Sequence, residues 1–413
     1  MSEAGTPPPV PSTEPPPSVE PGPPPSLSAR LALSQRAGGI VVPLLTMLLA
    51  FIVGGLVVLV ISGKNPLATY RAIFDGTGLN WLLPWDTCAY PCLAASNLQQ
   101  TLIQFTVLVL TGLAVAFAFR CGLFNIGGQG QYIVGTVAAI WIGTSLDSLP
   151  SFLHVLVAIV AAALAGGLWA GIAGFLKATV GAHEVITTIM LNWVAIWVAS
   201  YLVGIGGPMQ DTSAGPVGVS KQVHAGAKLP VIWGTPGLQA LHAGLFIALG
   251  ALVVYALLLN RTTLGYEVRA VGFNPEAAAY GGISVRRSYF LAMAISGAFA
   301  GMAGSMDVLG WQFRIDLTSV QTYSYVAFLG IAVALLGRNT AVGIFFAALL
   351  FAALRTGTAA RNLDPDVFPA ELANNLTEMI QGLVVLFVGA ELLILGVWQA
   401  GRRRRARGEG VAR

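Results

Sequence analysis

Apolar runs of about 20 residues recur along most of the chain, and they constrain its fold more than any other feature. Hydrocarbon offers no hydrogen bonds, so a run of that kind in contact with lipid must satisfy its own N–H and C=O groups as a helix. The runs cover residues 38–62, 98–119, 130–144, 152–176, 184–203, 241–259, 288–309, 323–336, 340–360 and 375–399. The expected fold class is an all-α polytopic integral membrane protein with about ten transmembrane helices. Composition agrees, with 55% hydrophobic residues and 10% charged, where a soluble chain carries about 25% charge. The 49 glycines suit close helix approach and supply places where a helix can break. Runs 130–144 and 323–336 are short for about 30 Å of hydrocarbon at ~1.5 Å per residue, which is how broken or re-entrant helices read.

Residues 1–37 are rich in proline and poor in large apolar side chains, the composition of a disordered tail. They carry neither the charged start nor the A-x-A site of a signal peptide. The membrane domain then covers 38–400, and a short basic tail, 401–413, follows. Lysine and arginine favour the cytoplasmic side. Placing the N-terminus inside puts Arg30, Arg36, Arg120, Lys177, Arg261, Arg269, Arg286, Arg287, Arg338 and the Arg402–Arg405 run there. Both termini are thus expected to be cytoplasmic, with 260–287 an inner loop and 204–240 an outer one. The outer loop, rich in glycine and proline, suits a lid or a mobile connector. The net charge of +4 follows from topology and implies no nucleic-acid partner, although Arg402–Arg405 would also touch membrane lipid. Cys88 and Cys92 share one polar loop, C-A-Y-P-C, where a bridge or two free thiols both fit.

Residues 124–131 read F-N-I-G-G-Q-G-Q: three amides and three glycines inside a hydrophobic region. Unsatisfied polar groups at that depth cost several kcal/mol each, so such a segment must be buried in protein or line a wet cavity. Asn125, Gln129 and Gln131 are therefore candidates for a solute pathway, with Gly127, Gly128 and Gly130 allowing unwinding. Their amides would serve the freed backbone or the solute; a plain turn between helices is the blander alternative. No catalytic or metal-ligand constellation stands out among His154, His183, His224 and His242, and no G-x-x-x-x-G-K-[ST] loop occurs. Active transport would then draw on an ion gradient or on a separate ATPase. Ion coupling needs core carboxylates. Candidates are few: Glu184 and Asp307 near span ends, then Glu378 and Glu391 in the last span.

Within the inner loop, Asn274 can cap a helix that starts at Pro275, with Glu276 complementing its dipole. Ala277, Ala278 and Ala279 continue the helix, and Gly281–Gly282 end it. A short capped helix with small side chains suits a groove on a partner, or simply a self-contained surface turn. A fainter signal is an internal echo, G-L-A-V-A-F-A-F-R at 112–120 and G-I-A-V-A-L-L-G-R at 330–338. It reads as a parallel repeat or as a coincidence of common residues.

Three motifs occur in order: F-N-I-G-G-Q-G-Q at 124–131, H-E-V-I-T-T-I-M-L-N-W at 183–193 and G-F-N-P-E-A-A-A-Y-G-G-I at 272–283. With them, the stretch 38–399 resembles the permease subunits of bacterial ATP-binding cassette importers of the branched-chain amino acid and ribose permease superfamily. The closest resemblance is to the nucleoside and simple-sugar group that works with basic-membrane-protein-type lipoproteins. This chain has Gln129 where a glutamate is about as common, so no titratable role carries over to that position. The resemblance implies a bacterial plasma-membrane protein that is not itself an enzyme and has no cofactor of its own, ATP being bound by a partner ATPase subunit. It further implies a second permease subunit, making a heterodimer, and an extracytoplasmic substrate-binding lipoprotein. Asn274, Pro275, Glu276, Ala277, Ala278, Gly281 and Gly282 match the coupling helix of such importers. Asn125, Gly127, Gly128, Gln129, Gly130, Gln131, Asn192 and Trp193 would line the solute pathway, with nucleosides as the expected solute. A secondary carrier or channel for sugars, without an ATPase, is the competing expectation.

Overall fold

The computed structural model describes residue 45 and residues 47–83, 92–235, 240–359, 362 and 369–389, all within Pro43–Arg413. The proline-rich tail 1–37, Cys88, Glu391 and the basic tail 401–413 lie outside the described residues. Helices dominate. They are α1 (Met47–Ser62), α2 (Pro66–Gly76), α3 (Leu93–Arg120), α4 (Gly128–Ser145), α5 (Ser151–Val180) and α6 (Glu184–Val203). After the loop that follows α6 come α7 (Gly244–Arg261), α8 (Thr263–Phe273), α9 (Pro275–Tyr280) and α10 (Val285–Gln312, closing in a π turn). The remainder are α11 (Leu317–Ser324), α12 (Val326–Leu336), α13 (Ala341–Gly357) and α14 (Ala370–Gly389). A two-stranded antiparallel ribbon, Val231–Trp233 with Leu241–His242, is a small departure from an all-α fold.

Among the described residues, five helices are long and apolar enough to cross a membrane, or six if α1 and α2, bent by 112°, form one broken span. The protein is therefore a polytopic helical membrane protein. Each predicted run has a helix under it, with α4, α12 and α13 short. Three helices were not foreseen: α2, α8 and α11. For α2 a signal was present, because Asn65 caps it through Leu67 N–H at 2.9 Å with Pro66 in the first position. That is the same asparagine–proline start found at Asn274.

The central element is α3. Its most apolar stretch is 83% buried, against 39%, 28% and 33% for α5, α6 and α7, whose outward faces carry large apolar side chains suited to lipid. Around it, α4, α5 and α10 cross at glycines. A Cβ on Gly301 would stand 2.2 Å from the carbonyl oxygen of Ala162, and one on Gly135 only 2.4 Å from Gly301 Cα. Without hydrophobic drive between helices in lipid, that closeness is what lets backbones gain dispersion contact. The echoed segments pack side by side and in parallel. Gly112 faces Val333, Gly330 faces Thr111, and the Arg120 guanidinium at the end of α3 donates to the Asn339 carbonyl at 2.7 and 3.1 Å.

Arg120, the Lys177–Glu184 ion pair (2.8 Å), Arg269 and Arg338 gather at one end of the bundle, the basic end. The loop after α6 covers parts of the opposite end. Its backbone bonds to Gly143, Leu309, Phe313 and Ile315, and Lys228 lies 4.4 Å above the Phe313 ring. Main-chain bonds to helix ends hold this loop in place, together with a few buried side chains, Met209, Val223, Ala227 and Leu229, scattered among its glycines and prolines. Cys92 is disulfide-bonded, while Cys121 is buried and free.

Candidate functional site

After Arg120 the chain turns at Gly122 (φ 74°) and runs back into the bundle as irregular backbone through Ile126 before α4 begins at Gly128. The segment is deep: Cys121, Leu123 and Asn125 are buried. Asn125 spends its whole hydrogen-bonding capacity there. Its Nδ2 donates to Gln131 Oε1 (2.8 Å) and Ser296 Oγ (2.7 Å), and its Oδ1 accepts from Gly127 N–H (3.0 Å) and Gln131 Nε2 (2.9 Å). Ser296 in turn donates to the Ala114 carbonyl of α3. Asn192 of α6 closes the other side. Its Oδ1 accepts from Gly130 N–H at 2.8 Å and its Nδ2 donates to the Ile126 carbonyl at 3.0 Å. A Cβ on Gly130 would meet Asn192 at 3.0 Å, so glycine allows this approach. The buried amides thus satisfy freed backbone and one another.

Gln129 differs. It is half-buried and makes one bond, Nε2 to Ser324 Oγ of α11 at 3.0 Å. The fold therefore brings together Asn125, Gly127, Gly128, Gln129, Gly130, Gln131 and Asn192. Trp193 is not part of this cluster and is 57% exposed.

Beyond Ser324 lies a half-open pocket of about 590 Å³ with a mixed lining: Thr322 and Tyr325 beside the α11–α12 junction, Leu329 of α12, Arg355 and Thr358 at the end of α13, and Thr377, Glu378 and Gln381 of α14. Arg355 is within electrostatic range of Glu378 and of Asp307. Asp307, buried on α10, accepts from Tyr132 Oη and, at 2.8 Å, from Trp311 Nε1. Ionisable side chains at membrane depth face protein or water, not lipid. The sequence reading gave Arg355 no role and missed this pocket. The available signal was an arginine inside the apolar run 340–360.

The third group lies at the basic end. Asn274 Oδ1 accepts from Glu276 N–H and Ala277 N–H, each at 3.0 Å, so the capped helix foreseen there is present as α9, ending at Gly281 and Gly282 (φ 82°). Pro275, Glu276 and Ala277 are exposed, while Ala278 faces inward. Phe273, which ends α8, and Tyr280, the last residue of α9, are both 95% exposed, which the sequence reading did not notice.

A multi-pass helical bundle with an amide-built re-entrant wall, a half-open pocket and an exposed capped helix is the architecture of a transport protein. The family described as the branched-chain amino acid transport system permease component matches residues 97–389, and the chain belongs to that family. It is 38% identical over 87% of its length to the guanosine ABC transporter permease protein NupP of Bacillus subtilis, covering 96% of that protein. To the nucleoside ABC transporter permease protein NupB of Lactococcus lactis it is 31% identical over 88% of its length and 94% of the relative. To the glucose ABC transporter permease protein TsgB13 of Haloferax volcanii the figures are 35%, 84% and 86%. No solved structure is a significant match.

Proposed function

We propose that this chain is the permease subunit of an ATP-binding cassette importer that carries nucleosides across a bacterial plasma membrane, driven by a separate ATPase subunit. The observation that carries the reading is α9, a helix capped by Asn274, preceded by Phe273 and ending in Tyr280, both 95% exposed, with Glu276 outward. In this reading Asn274, Pro275, Glu276, Ala277, Ala278, Gly281 and Gly282 form the element that a partner ATPase grips and moves. ATP stays with that partner, and the permease needs no cofactor. Nucleosides are the solute class suggested by the likeness to the guanosine and nucleoside permeases.

The clustering of Arg120, Lys177, Arg269 and Arg338 supports a cytoplasmic basic end, with about ten crossings and both termini cytoplasmic. The domain plan stays as drawn from the sequence: tail 1–37, membrane domain 38–400 and basic tail 401–413. A second permease subunit completes the pathway; a relative named guanosine ABC transporter permease protein NupQ, 27% identical, fits a two-permease assembly. An extracytoplasmic lipoprotein delivers solute to the end covered by 204–240. Asn125, Gly127, Gly128, Gly130, Gln131 and Asn192 build one wall of the pathway, and Gln129 is its solute-facing candidate, with Trp193 standing apart from this wall.

Glu276→Arg tests the reading. Inserted protein should remain at wild-type abundance, while nucleoside uptake and co-purification of the ATPase are lost. Uptake at the wild-type rate would remove α9 from the coupling role. Uptake by the purified chain with no ATPase bound would favour a secondary carrier.

A further inference from the structure

We propose that Gly272, at the end of α8, is the positioning residue that passes movement of α9 into the bundle, through the turn Arg120–Gly122 that closes α3. This rests on the importer reading above and adds the contact by which the partner ATPase's work would reach the amide wall.

Between α8 and α9 there is a single residue, Asn274. Its N–H donates to the Ala270 carbonyl of α8 while its side chain caps α9, so no slack loop separates the two helices. Two residues before it, α8 meets α3 backbone on backbone. A Cβ on Gly272 would stand 2.3 Å from the Arg120 carbonyl oxygen and 3.0 Å from the carbonyl carbon of Cys121. One on Gly122 would stand 3.4 Å from Gly272 Cα. A contact of this kind holds no side chain that could repack, so displacing one partner displaces the other. Val268 and Val271, both fully buried, seat α8 against the bundle, whereas Ala278 is the one buried residue of α9.

The turn passes displacement on in three directions. Its backbone continues from Gly122 to Asn125 and the amide wall. The Arg120 guanidinium donates to the Asn339 carbonyl between α12 and α13, which also accepts from Tyr255 Oη of α7 at 2.8 Å. The Cys121 thiol faces the Ser288 carbonyl in the first turn of α10 at 3.7 Å. A push delivered at Gly272 therefore reaches α4, α7, α10 and α12 through one node. The competing account, that Gly272 is glycine only because its site is crowded, can be separated from this one. A second glycine of α8 is as crowded: a Cβ on Gly265 would stand 2.1 Å from the Leu258 carbonyl oxygen, at the α7–α8 corner and not against α3.

The test compares Gly272→Ala with Gly265→Ala in the assembled transporter, with its ATPase and binding protein, in proteoliposomes. Uptake of labelled guanosine and hydrolysis of ATP are measured together, and ATPase co-purification is measured separately because Gly272 is exposed on its outer side. Gly272→Ala should lower uptake per ATP hydrolysed by about five-fold or more, the size of an ordinary coupling between sites, with the ATPase still bound. Gly265→Ala should lower the melting temperature comparably and leave uptake per ATP at the wild-type value. Equal losses of uptake per ATP in the two variants, or no loss in Gly272→Ala, overturn the proposal. Should Gly272→Ala fail to accumulate, Gly122→Ala takes its place. It alters the same contact from the α3 side, where φ is 74°, and the same fall in uptake per ATP is expected. If Gly272→Ala keeps the wild-type ratio with its ATPase bound, the importer reading stands without this contact. If the wild-type chain takes up guanosine with no ATPase bound, both fall.

Discussion

Asn125 and Gln129 are four residues apart and have opposite mechanical status. Asn125 is fully buried and makes four hydrogen bonds; Gln129 is half-buried and makes one, to Ser324. Asn125→Ala would strand the Gly127 N–H and both ends of the Gln131 amide, so a loss of about 3 kcal/mol is expected. Gln129→Ala should cost under about 1 kcal/mol. Thermal unfolding in detergent checks the pair, and equal costs would refute this division of labour. His242 gives a second residue-scale expectation. It lies outside the spanning helices, in the ribbon, wedged between Gly244 and Gly310, and burial pushes its pKa down to about 4. A depressed histidine contributes its stability above the unfolded value of about 6.5 and loses it as pH falls towards 4, at most about 3 kcal/mol. Wild-type melting temperature should therefore drop between pH 7.5 and pH 5, and His242→Gln should flatten that drop.

At the scale of elements, the glycine crossing of α4, α5 and α10 is the stiffest contact. Gly301→Ala forces a Cβ to 2.2 Å from the Ala162 carbonyl oxygen, and about 1–3 kcal/mol of stability should be lost. Gly250→Ala on α7 meets nothing within 4 Å and should be neutral or slightly stabilising. Monodisperse yield after purification measures both. The long helices were legible because lipid enforces a single solution on an apolar run. The α9 cap was legible because Asn274 and Pro275 state it locally. What stayed hidden depends on tertiary placement. The helix α2 mixes apolar and polar residues and is too short to span, and the described part of the 204–240 loop is placed by main-chain bonds and buried side chains that meet helices distant in sequence. The pocket joins Arg355 to Glu378 and Gln381 across residues that no periodicity connects. The 124–131 motif was visible, yet which partners its amides would choose was not, because Ser296 and Asn192 come from other helices.

For the whole molecule, sidedness is the property most open to direct measurement. Val217, 52% exposed on the outer loop, and Glu276 on α9 belong to opposite ends. In intact cells, a membrane-impermeant maleimide should label Val217→Cys above the wild-type background. Glu276→Cys should label only after permeabilisation, and the reverse pattern would invert the topology. The hydrogen bonds of the re-entrant wall carry a consequence for how such a protein can move. Asn125, Gln131, Ser296 and Asn192 tie α3, α4, α6 and α10 together at several points, so these helices act as a stator that shifts as one piece or not at all. Gln129 donates to Ser324 and so ties this frame to α11. Breaking one bond is cheap on the timescale of turnover; breaking the Asn125 cluster is not. Movement during transport is therefore expected at contacts less heavily bonded than the Asn125 cluster, with the wall itself keeping its shape.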